Sequence, residues 1–194
     1  IYICEFVNSS FFLRNRAGGQ GGGVFGLFMC SAKSSTFTHN SATRGGGISL
    51  GSADSSSFFG NRATEFGGGL YGEGSWSRSV NSLFVGNVAD SGGGAYLQPG
   101  APFYNSTFAF NISHANGGGA VGAIPYNSIF WGNQAGASGH QLWNGEDSFV
   151  PVTTTNLQNS GGSANWDMTI GLDGGGNINA DPMFARLPDD GGDG

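Results

Sequence analysis

The chain has 194 residues, among them 38 glycines and 16 phenylalanines; only 10% of its residues are charged, and its net charge is -6 with a pI near 4.7. A protein that grips phosphates needs a basic face to release counterions, so this balance speaks against a nucleic-acid partner. So many aromatics speak against disorder, glycine lacks the every-third spacing of collagen, and no apolar run approaches the roughly 20 residues that a membrane-spanning helix needs.

Taken in chain order, two motifs recur in phase. Phe-x-x-Asn occurs at Phe12–Asn15, Phe37–Asn40, Phe58–Asn61, Phe84–Asn87, Phe108–Asn111 and Phe130–Asn133. A Gly-Gly-Gly triplet followed by an apolar residue starts at Gly21, Gly45, Gly67, Gly92 and Gly117, five or six residues after the preceding Asn. Periods of this size signal a solenoid. Segments such as Ser9-Ser10-Phe11-Phe12, Ser35-Thr36-Phe37-Thr38 and Asn105-Ser106-Thr107-Phe108 are short, rich in Phe, Ser and Thr, and bounded by Asn or Gly. Ile48-Ser49-Leu50, Leu70-Tyr71 and Ala95-Tyr96-Leu97 read the same way. Both sets alternate in part with period 2 and are too short for helices.

Units of 21 to 26 residues holding two or three short strands fit one turn of a parallel β-helix, with coils stacked at roughly 4.8 Å per rung. The fold class is therefore all-β, a parallel β-helix (solenoid) of about 6–8 coils. The phenylalanines are expected to point inward and stack on one another. The asparagines are expected at the following bend, bonding backbone or the Asn of the next coil. The glycine triplets read as tight corners rather than phosphate cradles, since none is followed by Lys.

The alternation of Phe-x-x-Asn with Gly-Gly-[Gly/Ala]-[Ile/Leu/Val] resembles the repeats of the chlamydial polymorphic outer membrane proteins and of secreted bacterial right-handed parallel β-helix proteins. The resemblance covers roughly residues 1–143. Asn127-Ser128-Ile129-Phe130-Trp131-Gly132-Asn133 is similar to a penultimate regular coil of that group, and Gly176-Asn177-Ile178-Asn179-Ala180-Asp181-Pro182-Met183-Phe184 to its closing segment. The boundaries are thus regular coils at 1–143, irregular last coils and a closing segment at 144–184, and an acidic Gly/Asp-rich tail or linker at 185–194. The resemblance implies a right-handed coil, an extracellular or outer-surface location and a role in adhesion or surface architecture. The opening Ile1-Tyr2-Ile3-Cys4 reads as the inside of a repeat, hence a piece of a longer protein. No membrane insertion is expected of this piece.

Little in the chain points to catalysis. Right-handed β-helices include pectate lyases, which need clustered acids for Ca²⁺ and a basic residue, and hydrolases, which need converging carboxylates. Here Glu5, Asp54, Glu65, Glu73 and Asp90 are scattered, as are Arg14, Arg44, Arg62 and Arg78, although Glu73 and Asp54 both follow a glycine-led strand and could approach one another. His39, His114 and His140 match no ligand motif. No catalytic residue and no resident cofactor or metal is expected; the one feature that could take Ca²⁺ is the set Asp173, Asp181, Asp189, Asp190 and Asp193, through hard oxygen ligands. Cys4 and Cys30 occupy similar places in adjacent repeats, which suits either a disulfide or two buried thiols.

Surface binding is the better lead. Tyr71 and Tyr96 each stand four residues after the first glycine of their triplets, and Trp76, Trp131 and Trp143 lie in or beside strands. If Leu70 faces the core, Tyr71 faces out, and the tyrosine pair could stack on a sugar ring or a partner surface; the alternative is that both fill a coil interior. Thr36, Ser57 and Thr107, each just before a Phe, would be the start of an ice-binding ladder, with Ser10, Ser82 and Ser128 out of step. The partners anticipated are a cell-surface glycan or protein, or the protein itself through end-to-end stacking of coils.

Overall fold

The computed structural model describes residues 6–74, 76–145 and 150–185, the backbone alone at 27–29. These residues form a parallel β-solenoid of about seven turns, each of about 24 residues, with no helix. Three sheets run along it. The first face stacks Phe6–Asn8, Val24–Lys33, Ile48–Asp54, Ser79–Val80, Ala95–Tyr104, Ala120–Tyr126 and Leu142–Trp143, with Leu70–Gly72 also paired into it. The second stacks Phe11–Leu13, Thr36–Thr38, Ser57–Phe59, Leu83–Val85, Thr107–Ala109, Ile129–Trp131 and Asn156–Leu157. The third stacks Ser41–Arg44, Arg62–Phe66, Val88–Ala89, Ile112–Ser113 and Gln134–Ala135. Every pairing is parallel and joins equivalent residues of successive coils.

Three left-handed corners per coil turn the chain from face to face. In the second coil they fall at Ser34 (φ 48°), His39 (φ 53°) and Gly45 (φ 63°), and in the fifth at Asn105 (φ 50°), Phe110 (φ 55°) and Gly117 (φ 65°). Positive φ is costly for most residues and less so for Asn, so each non-glycine corner needs support. At the first corner a serine supplies it. Ser35 Oγ donates to Lys33 O at 2.9 Å and accepts from the Ser10 amide at 3.2 Å. Ser56, Ser82, Ser106 and Ser128 repeat this, each buried, each closing its own turn and receiving the amide of its counterpart in the preceding coil. The serines are therefore one buried column.

The core is a column of phenylalanines. Phe37, Phe58, Phe84, Phe108 and Phe130 are fully buried, with Phe12 partly buried at the first coil. Their rings lie nearly parallel with centroids 4.9, 4.9, 4.6, 4.4 and 4.7 Å apart. Leu157 continues the column in the seventh coil. Beside it the first face contributes Val24, Ile48, Leu70, Ala95, Ala120 and Leu142 in one inward row, and the third face contributes the small Ala42, Ala63, Ala89 and Ala135.

The asparagines run as a second column at the corner after the phenylalanines. Asn40, Asn61, Asn87, Asn111 and Asn133 are buried, and each Oδ1 accepts both the backbone amide and the Nδ2 of the Asn one coil earlier, beginning at Asn15. From Asn40 on, each Nδ2 also donates to a phenylalanine carbonyl of the preceding coil, for example Asn87 to Phe58 O at 2.9 Å. Gln141 takes the next place, accepting from Asn133 Nδ2 at 2.7 Å and passing a bond on to Gln158.

The glycine corner is closed by sterics. A Cβ on Gly46 would lie 2.4 Å from Gly68 O and 2.6 Å from Arg62 O, and one on Gly47 would lie 2.9 Å from the Phe58 ring. Gly46 has ordinary φ, so the constraint there is the approach of the next coil alone. Gly46→Ala is expected to cost roughly 2–3 kcal/mol by overpacking. Gly19→Ala, where nothing lies within 4 Å, should change stability by less than about 0.5 kcal/mol. Urea midpoints of the two variants check this directly; equal midpoints would contradict the packing account.

Cys30 is fully buried in the core and disulfide-bonded. Cys4, the other cysteine of the sequence, lies outside the described residues, as do Glu5 and residues 186–194 of the tail.

Candidate functional site

The glycine corner brings two outward columns side by side. Before it run Gln20, Arg44, Phe66 and Ser91, joined by bridges and pairings from coil to coil. After it run Phe25, Ser49, Tyr71, Tyr96, Val121 and Trp143. In the third coil the strand Arg62–Phe66 carries one more residue than Ser41–Arg44 between paired positions: Ala42 pairs Ala63, whereas Arg44 pairs Phe66. Such a bulge re-aims side chains. It turns Glu65 toward Arg44 and sets Phe66 against the tyrosines.

The result is a small polar and aromatic cluster. Arg44 Nε lies 2.7 Å from Glu65 Oε2, and Nη1 lies 3.9 Å from Glu73 Oε1. The Tyr71 hydroxyl donates to Glu73. The guanidinium lies over the Phe66 ring at 5.4 Å and the Tyr71 ring at 5.7 Å. Phe66 packs on Tyr96 at 4.7 Å, and the two tyrosine rings are 5.9 Å apart and tilted by 38°. Glu65 holds Arg44 protonated above its already high ordinary value. Burial, and then the hydrogen bond to Glu73, pushes the Tyr71 phenol above its own.

This arrangement corrects the expectation for the tyrosine pair. Leu70 does face the core and Tyr71 does face out, but Tyr71 is only 2% exposed and Tyr96 is half-buried, because Phe66 and Arg44 lean across the corner over them. They are not an open stacking platform. The same cluster gathers Glu65 and Glu73 around one arginine, whereas Asp54 stands at the far end of the first face, in register with Val80. The two glutamates are held by Arg44 and do not face one another across a cleft.

The other candidates sit in local roles. His140 Nδ1 accepts the Ala135 amide at 2.9 Å. Asp173 accepts from the Gly175 amide, Ser163 and Asn177, which keeps its carboxyl below the usual range, the Gly175 bond most of all. Asp181 accepts the Met183 amide. Among the described residues no three His, Cys, Asp or Glu side chains are grouped as a metal site; Asp189, Asp190 and Asp193 lie outside them. The ladder started by Thr36, Ser57 and Thr107 is interrupted. In register between and after them come Leu83 and Ile129, so the outward row of the second face is not a continuous hydroxyl array. Ser10, Ser82 and Ser128 are out of step with that row because they belong to the serine column beneath the corner.

An aromatic platform does exist, one corner away from the predicted one. Tyr104 and Tyr126 lie in register on the outside of the first face, their rings stacked at 5.3 Å with an interplanar angle of 22°. Tyr104 is 41% exposed. Beside them runs an exposed amide row, in which Asn127 Nδ2 donates to Asn105 Oδ1 at 2.8 Å and Asn105 Nδ2 to Asn81 Oδ1 at 3.1 Å. The signal was present in the sequence as the tripeptide Tyr-Asn-Ser at 104–106 and again at 126–128. Trp76 is exposed, while Trp131 and Trp143 are half-buried.

Comparison with known proteins adds one match. The repeat of the Chlamydia polymorphic membrane protein matches residues 55–73. That is most of one coil, from the Ser55 corner to Glu73, and it contains Phe58, Asn61 and the triplet Gly67–Gly69. None of the curated proteins matches the chain. The matched coil and the solenoid built from its repetition fit a β-helix repeat protein like the polymorphic membrane proteins.

Proposed function

We propose that this chain is an adhesive module of an extracellular or outer cell surface, which works by holding out rigid faces to a partner. Its partner would be a cell-surface glycan or protein, or a second copy of the chain. The observation that carries the reading is the Tyr104–Tyr126 stack flanked by the Asn81, Asn105 and Asn127 amides, held on a face whose interior is fully packed. Apolar rings beside amide donors and acceptors are the groups that recognition surfaces use, and a solenoid presents them without an ordering cost. The likeness of one coil to a membrane-protein repeat supports the location.

Beads coated with the purified chain should adhere to epithelial cells above albumin-coated beads, and the Tyr104→Ala/Tyr126→Ala pair should lower adhesion about tenfold, in keeping with loss of aromatic anchors. Both side chains point outward, so the variant should unfold at an unchanged temperature. Wild-type beads that bind no better than albumin would overturn the proposal.

A further inference from the structure

We infer that the groove on the third face around Arg16 and Arg62 binds a segment of linear acidic polysaccharide whose acid groups fall on alternate sugars. The inference rests on the adhesive reading, to which it adds the chemical class of a partner, but it uses a different part of the surface. Arg16 is bridged to Ser41, and Ser41 is paired with Arg62, so the three stand in one outward column on successive coils. The two guanidinium-bearing positions are therefore two rungs apart, about 9.6 Å. Between and beside them Ser41, Thr43 and Thr64 line a groove of about 380 Å³.

The two arginines of this groove form no ion pair among the described residues. Both are exposed. Glu65 is held by Arg44 at 2.7 Å, and the exposed Asp90, two residues after the Val88 that pairs with Arg62, bounds the groove one coil beyond Thr64. The groove is thus a local pair of positive charges on a chain of net charge -6. A large polyanion such as duplex nucleic acid meets that overall repulsion, whereas a slender chain lying in the groove meets mainly the two arginines.

Geometry selects the repeat of the ligand. A pyranose unit along an extended glycan is about as long as one rung. A chain running along the coil axis then sets one sugar over each of Arg16, Ser41 and Arg62. Acids on alternate sugars face the two guanidinium groups, which bind carboxylate or sulfate by paired N–H donors, and the neutral sugar between them faces the Ser41 hydroxyl. One coil further on the column continues as Val88 and then Ile112, an apolar stretch that offers an acid nothing. A polymer with an acid on every sugar would set one against Val88, where an alternating polymer places a neutral sugar.

The test is a titration of the full chain with a defined oligosaccharide of alternating glucuronate and N-acetylglucosamine, followed by calorimetry at two salt concentrations. Binding is expected, weaker at the higher salt. Arg16→Gln/Arg62→Gln should lower the affinity at least about tenfold, as expected for loss of charge-assisted bonds, while Arg78→Gln, exposed beside the first face, should leave it unchanged. A neutral N-acetylglucosamine oligomer should not bind, an oligomer of galacturonate should bind more weakly, and inorganic phosphate should not compete. Unchanged thermal unfolding of the double variant confirms that its fold is intact. No binding by the wild type, binding that survives the double substitution, or full competition by phosphate would each overturn the inference. Adhesion of wild-type beads in spite of any of these would leave the adhesive reading standing with another partner; failure of the beads to adhere would count against that reading alone.

Discussion

Replacing Asn87 with alanine is expected to destabilise the protein by roughly 3–5 kcal/mol, an unusually large effect for a polar side chain of this size. Asn87 Oδ1 accepts from the amide and the Nδ2 of Asn61 at 2.9 and 3.0 Å, and its Nδ2 donates to Phe58 O and to Asn111 Oδ1, both at 2.9 Å. All of these groups belong to the packed interior. Alanine removes four bonds at once; Asn61 Nδ2 keeps Phe37 O and Asn111 Oδ1 keeps the backbone amide of residue 87, whereas each buried group left without a bond costs about 1–3 kcal/mol less whatever relaxation returns. Asn15→Ala is the internal comparison. Asn15 is exposed and only donates to the column, so its loss should cost less than about 1 kcal/mol. Urea unfolding followed by circular dichroism measures both. A loss below about 1 kcal/mol at Asn87 would mean that water replaces the side chain, and the column would then be a consequence of the coil rather than a cause of it.

Phe84→Ala should cost a similar amount, about 3–5 kcal/mol, for a different reason. The ring is fully buried between Phe58 at 4.6 Å and Phe108 at 4.4 Å, so its removal leaves a void within a continuous stack. Phe84→Leu should cost only about 1–1.5 kcal/mol, because a volume near that of the ring is restored. The seventh coil already contains this solution, with Leu157 standing over Phe130. The pair separates packing from stacking: equal losses for Ala and Leu would assign the stability to ring contacts themselves. Because a solenoid is held by nearest-neighbour interfaces, the alanine variant should also unfold less cooperatively, with a lower denaturant slope than the leucine variant.

Much of this fold is legible without coordinates because two residue types are placed by strong and simple forces. A large ring at a fixed period has nowhere to go but inward, and an amide beside it at a corner meets its own copy above and below. The serine column is harder to see. Serine is common on surfaces, and what marks these residues is their place immediately after a left-handed corner, a property of the backbone. The Arg44–Glu65 contact was hidden for another reason. It depends on a single extra residue in the third coil, and counting from Asn to glycine as five or six does not tell where within the turn the surplus bulges out. Tyr71 shows the limit of alternation. Period two fixes which way a side chain leaves the strand, and it does so correctly here, but exposure is decided by neighbours across the corner, and Phe66 and Arg44 belong to two other strands.

The asparagine column has a direction. From Asn15 to Gln141 every bond between carboxamides runs from an Nδ2 to the side-chain oxygen of the next place in the column, and none of these side-chain links runs the other way. Such aligned dipoles add head to tail and strengthen one another in a medium of low polarity. The stack is therefore a polar rod, with carbonyl oxygen leading at one end and amide hydrogen at the other. Reversing any single link would set two oxygens or two NH₂ groups face to face, so the whole row keeps one sense or changes it together.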